Sequence, residues 1–205
     1  MRDYIRGIKF KVLLILGIFV VSVAYCFFNF QFWTHMQVDD FSSLKEVNSP
    51  YIKGLYGKQV LIHNEFEESL SKIEQLAEKY NLVLVVNSGY RFPGTSIGGA
   101  VVVPVTKSNH NVGYALDINI KYKHRKYISK HLSREHYNEL PSNIKAFIND
   151  VRLDDDLRWG GDFKTEDPVH IDVPLNIKNK RLWDDYSKNC SVEYANSHPK
   201  WMFWE

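Results

Sequence analysis

The chain has 205 residues, 44% of them hydrophobic and 24% charged, a composition that suits a globular protein with one real core and an appendage. Its formal net charge is +2, and Arg2, Arg6, Lys9 and Lys11 all precede the first apolar run. The rest is close to neutral, which argues against a nucleic-acid partner.

The basic tail, 1–11, gives way to VLLILGIFVVSVAYCFF at 12–28, which carries no charge. A span of hydrocarbon needs about 20 apolar residues, and Phe27, Phe28, Phe30, Phe32 and Trp33 follow as an interfacial aromatic belt. A transmembrane signal anchor is expected over 12–33. The positive-inside rule then leaves the N-terminus in the cytoplasm and the remainder in a periplasmic or other extracytoplasmic space. This is a single-pass protein of the inner (cytoplasmic) membrane on that reading. A cleaved signal peptide is the competing reading, but no small-x-small cleavage site follows. Bulky Tyr25 before Cys26 is a poor lipoprotein signal. The two cysteines, Cys26 and Cys190, form no CxxC pair and belong to different surroundings, so neither a cysteine-based zinc site nor an internal disulfide is expected.

Residues 34–56 are poorly periodic and read as a stalk or linker, with a domain over 57–205. Phe66, Leu70, Ile73, Leu76 and Ala77 share one face of a helix over 64–80, with Asn64 as its N-cap. A short buried strand is expected at 82–86, ended by a turn at 88–91. A Pro/Gly loop at 92–99 leads to a strand at 100–105, where Pro104 suits only an edge or an end. Another strand runs over 115–120. Ile144, Phe147, Ile148 and Val151 give a second helix, introduced by Pro141 and Ser142. Asp154, Asp155 and Asp156 mark a turn, and His170 opens the last core strand. This order predicts an α+β domain with a small central antiparallel sheet flanked by helices.

Within that frame SNHNVGYALD at 108–117 is answered by DPVH at 167–170. Two histidines and one carboxylate, His110, Asp117 and His170, are what a catalytic zinc site takes from a protein, leaving a fourth position open. Gly113 permits a bend between a loop carrying His110 and a strand carrying Asp117. His170 would arrive from a neighbouring strand. Asp167 is a second carboxylate, suited to take a proton from water at such a site.

These residues resemble the LAS zinc peptidases, named for lysostaphin, D-Ala-D-Ala peptidases and sonic hedgehog. SNHNVGYALD matches that group's SxHxxGxAxD signature, and DPVH its second motif. SGYR at 88–91 and WGGDF at 159–163 match accessory segments of the D-alanyl-D-alanine carboxypeptidase and L-alanyl-D-glutamate endopeptidase branch. The resemblance covers about 61–173. It implies one Zn2+ held by His110, Asp117 and His170, Asp167 as general base, and Arg91 as the cation for a developing oxyanion or a substrate carbonyl. It further implies a peptidoglycan stem peptide as substrate.

Two departures bear on the bond cut. Many carboxypeptidase members carry Glu where Asp167 stands, whereas endolysin-type endopeptidases more often carry Asp, which leans toward cleavage inside the stem peptide. The segment FPGTSIGGAVVVPVTK after Arg91 is unlike its family counterpart, so substrate contacts there do not carry over. A non-catalytic zinc-containing cell-wall or protein-binding module on the same fold is the alternative function. His124, His131 and His136 are expected on a solvated insert rather than at a second metal. Ser108 is expected to hydrogen-bond to the site or the backbone rather than to act as a nucleophile. The three consecutive aspartates lack the spacing of an EF-hand. Trp201, Phe203 and Trp204 would pack on the domain or touch the membrane surface. Composition carries no signal of oligomeric state.

Overall fold

The computed structural model describes residues 2–30, 42–95 and 107–197, and the chain divides into two units, Met1–Gln37 and Val38–Glu205. The first unit holds one helix, α1 (Arg2–Phe30). Its side chains are described over 11–25 and the large apolar ones are exposed, Leu13 and Val21 each at 68%. Among the described residues no helix is long and apolar enough to cross a membrane. The transmembrane helix expected over 12–33 is therefore not found as such. Residues 31–33 and the strand expected at 100–105 lie outside the described residues, as do Trp201, Phe203 and Trp204.

The second unit begins with β1 (Leu44–Glu46) and β2 (Ile52–Gly54), followed by β3 (Leu61–His63). Residues expected as linker thus supply two strands. Leu44 and Ile52 are each 2% exposed, and so short an apolar signal, one buried residue per strand, leaves no period to read. Then come α2 (Glu67–Lys79), β4 (Val83–Ser88), β5 (Ala115–Tyr122) and β6 (Arg125–Tyr127). The chain continues through α3 (Ser129–Leu132), α4 (Ser142–Leu153), β7 (Arg158–Trp159), β8 (His170–Asp172), α5 (Leu175–Lys178) and α6 (Lys180–Ser197). Asn64 does not cap α2. A short 3-10 turn precedes that helix, capped by the His63 ring, which accepts from the Glu65 N–H, while the Asn64 amide donates to the Ser42 carbonyl.

β1 and β3 form a two-stranded antiparallel pair. The main sheet runs β2-β4-β5-β8-β7, with β6 also paired to β5. It is mixed rather than antiparallel throughout, because β2 lies parallel to β4. The fold is α+β, as the order of elements predicts.

β5 organises the domain. Side chains alternate along a strand with period two, so Leu116, Ile118 and Ile120 leave one face and Asp117 and Asn119 the other. The apolar three are at most 2% exposed and belong to the core. They share it with Ile73 and Ala77 of α2 and with Ile144, Phe147, Ile148 and Val151 of α4. Burying each of these large side chains contributes about 1.5–3 kcal/mol. The polar side of β5 is left for chemistry.

Candidate metal centre and active site

Asp117 and His170 are direct partners in the antiparallel register of β5 and β8, so their side chains stand side by side on one face. His110 comes from a 3-10 turn, Asn109–Val112, that precedes β5. Ser108 caps this turn, its Oγ accepting from the His110 N–H at 3.3 Å. Gly113 ends it at φ 67°, in the left-handed region, and a Cβ there would collide with the His63 amide. The turn therefore doubles back and sets His110 above Asp117.

The three meet in a triangle. His110 Nε2 lies 3.0 Å from Asp117 Oδ1 and 3.2 Å from His170 Nδ1, and His170 Nδ1 lies 3.0 Å from the same Oδ1. Two ligands about 2.0–2.1 Å from a tetrahedral zinc ion lie about 3.3–3.4 Å apart. The edges of the triangle are slightly tighter than that. His110 is 1% and His170 9% exposed. Among the described residues this is the group of three that can hold a metal ion.

The outer nitrogen of His110 fixes its inner one. Nδ1 lies 2.7 Å from the Gly89 carbonyl, which can only accept, so Nδ1 carries the proton and Nε2 presents a lone pair to the triangle. Burial by itself would raise the Asp117 carboxyl, but His110 and His170 hold it well below the usual carboxylate range. Burial would lower His170, yet Asp117 and Asp172 push it up to about 9.

Arg91 and Asp167 flank the triangle. The Arg91 N–H donates to the His110 carbonyl at 2.9 Å, tying the turn after β4 to the histidine turn. Its guanidinium lies 3.6 Å from Asp117 Oδ2 and donates to Ser108 Oγ at 3.4 Å. Burial lowers its pKa, against the pull of Asp117 and Asp167. Asp167 opens a tight turn: its N–H donates to the Gly160 carbonyl at 2.9 Å, and its carbonyl accepts from the His170 N–H at 3.0 Å. Burial, then Asp117, raises its carboxyl, while His170, His110 and Arg91 oppose that. Asp167 thus shares an electrostatic neighbourhood with the other four residues.

The secondary candidates have local roles. His131 Nδ1 accepts from the Ile128 N–H at 3.2 Å, His136 Nδ1 sits 3.2 Å from Ser133 Oγ, and His124 is exposed. Asp154 accepts from the backbone of Asp156 and Leu157, and Asp156 pairs with Lys72 and Lys178. Cys190 is a free, buried thiol. Sequence reasoning missed the layer behind the triangle: Gly89 behind His110, and Asp172, Arg158 and Asn109 behind His170. The even spacing of His170 and Asp172 on one strand is the signal that points to the second group.

Two buried histidines and the half-buried Asp117, beside a cation and a second carboxylate, make a group that can hold a metal ion. Residues 104–173 match the family model described as D-alanyl-D-alanine carboxypeptidase, the family resemblance that the motifs carry. That match supports a peptidase and contains all three residues of the triangle together with Asp167. Arg91 lies before it. No curated protein matches the chain.

Proposed function

We propose that this protein is a zinc metallopeptidase that hydrolyses amide bonds in peptidoglycan stem peptides, anchored by its N-terminal helix with the domain outside the cytoplasm. The triangle of His110, Asp117 and His170 carries the reading, and the family match supports it. Imidazole nitrogen and carboxylate oxygen are the donors zinc accepts, and three protein ligands are what catalytic zinc sites use. When bound, the ion supplies a Lewis acid that activates water and polarises the scissile carbonyl.

The remaining steps belong to the chain. Asp167 takes a proton from the attacking water and returns it to the leaving amine. Arg91, a permanent cation, stabilises the negative charge that develops on the carbonyl oxygen. Asp117 keeps Arg91 at the rim through the 3.6 Å contact of its outer oxygen. Asp rather than Glu at 167 favours an internal stem-peptide bond.

The anchor is supported by the uncharged run at 12–28, the basic residues before it and the exposed apolar surface of α1. Such a surface is expensive in water unless lipid or protein covers it. The full chain is expected to stay with membranes through alkaline carbonate extraction, and release into the soluble fraction would remove the anchor.

The activity is tested by incubating the full chain with purified peptidoglycan and analysing released fragments by mass spectrometry. A chelator should abolish release and zinc should restore it. Loss of one terminal alanine identifies a carboxypeptidase, and a cut nearer the sugar an endopeptidase. Zinc binding with no cleavage on walls of varied chemistry would overturn the enzyme reading in favour of a binding module.

A further inference from the structure

The triangle rests on a second buried polar group. Asp172 follows His170 by two residues on β8, so both side chains leave the same face. Its register partner on β7 is Arg158. Asp172 is 2% exposed and is heavily engaged. Its Oδ1 accepts from Arg158 Nε at 2.9 Å, and its Oδ2 accepts from the Arg158 terminal nitrogen and from Asn109 Nδ2, each at 2.6 Å. Asn109 is held in turn by Asn176, whose side-chain oxygen accepts at 3.0 Å and whose N–H donates at 3.0 Å. On its remaining side Oδ2 lies 3.4 Å from His170 Nε2.

A buried carboxylate is expensive unless it is paired, and a bidentate arginine is a strong partner. Arg158 alone would satisfy that need. What it leaves unexplained is that the clamped carboxylate faces the one nitrogen of His170 that is not in the triangle. An ionised carboxylate only accepts, so the nitrogen facing it must carry the proton. Nδ1 then keeps its lone pair for the triangle. The outer nitrogen of His110 likewise faces an acceptor, the Gly89 carbonyl at 2.7 Å, so each imidazole has an acceptor beside its outer nitrogen.

We propose that Asp172, clamped by Arg158 and Asn109, is a positioning residue that sets the tautomer and orientation of His170 so that Nδ1 faces the metal. The inference rests on the reading of His110, Asp117 and His170 as ligands. Loss of an outer partner of a metal-bound histidine typically costs about 10- to 100-fold in metal affinity.

Two measurements on the full chain in detergent decide it. The first needs no variant: long-range proton–nitrogen correlation spectra of the zinc-loaded protein, with His170 assigned by comparison with His170→Gln. A proton on Nε2 and zinc on Nδ1 are expected, and ligation through Nε2 overturns the proposal. The second is zinc affinity by competition with a chromophoric chelator. Asp172→Ala is expected to bind about 10- to 100-fold more weakly, and Asp172→Asn, whose amide oxygen can still accept from Nε2, to recover part of the loss. Affinity within twofold of the parent in both folded variants would overturn the proposal. Failure of the parent to take up one zinc ion would instead defeat the ligand assignment beneath it.

Discussion

The carbonyl of Gly89 accepts a 2.7 Å hydrogen bond from Nδ1 of His110, joining the end of β4 to the metal triangle through a residue that has no side chain of its own. The lack of a side chain matters here. A Cβ on Gly89 would stand 2.5 Å from the Leu61 carbonyl oxygen and 3.2 Å from Val60 Cγ1, and that carbonyl already accepts from the Tyr90 N–H at 2.7 Å. Gly89→Ala is therefore expected to shift the β4 end away from β3, cost about 1–3 kcal/mol in urea unfolding, and weaken zinc binding at the same time. A variant with unchanged zinc affinity would show that the carbonyl does not orient His110.

The three residues of the triangle were legible because their chemistry and spacing are local. His110, Gly113 and Asp117 span one turn and one strand start, and period two on β8 sets His170 beside its neighbours. The helices α2 and α4 were legible from apolar period. Other elements were hidden for physical reasons. β1 and β2 are three residues each, with one buried side chain apiece, too few for alternation to show. In α6 only Trp183 and Cys190 are buried, and its half-buried residues are, apart from Leu182, tyrosine, serine and glutamate, so its face reads as polar. The parallel pairing of β2 with β4 is a long-range choice that neither strand encodes alone.

Asp167 gives a prediction with a definite sign. Burial and Asp117 place its carboxyl above the ordinary 3.8 in the metal-free protein. Between the unfolded and the raised folded value the folded state binds more protons, so this group's contribution to stability is lost as pH rises through that window. Metal-free Asp167→Asn, which cannot ionise, is expected to unfold at higher urea than the parent at pH 7. Bound zinc should draw the Asp167 value back down, a shift that carboxyl carbon NMR can follow. The same variant should keep zinc and lose about 10²–10⁴-fold in turnover. Retained turnover would remove Asp167 from the role of base.

Arg91 separates charge from geometry. Its guanidinium reaches both Asp117 and Ser108, which a lysine ammonium cannot do at once. Arg91→Ala is expected to lower kcat about 10²–10³-fold, the usual cost of one oxyanion donor, with zinc affinity nearly intact. Arg91→Lys should recover only a part. A change confined to KM would assign Arg91 to ground-state binding of the substrate instead.

The C-terminal helix is expected to hold the histidine turn in place. Trp183 of α6 donates from Nε1 to the Ser108 carbonyl at 3.3 Å, and Tyr186 stacks on His63 with ring centroids 4.2 Å apart. The Glu193 carboxylate accepts from the backbone of Ser43 at 2.9 Å and of Leu44 at 3.3 Å. Trp183→Ala should therefore cost about 3–5 kcal/mol and, by freeing Ser108, weaken zinc binding as well. Cys190, one turn pair further along the same face, provides a probe. Burial pushes its thiol up to about 12, so in the folded parent at pH 8 it should resist iodoacetamide. In Trp183→Ala its alkylation, read by peptide mass spectrometry, is expected to rise as α6 undocks. If Cys190 stays protected while zinc affinity falls, the tryptophan acts on Ser108 locally and not through the docking of the helix.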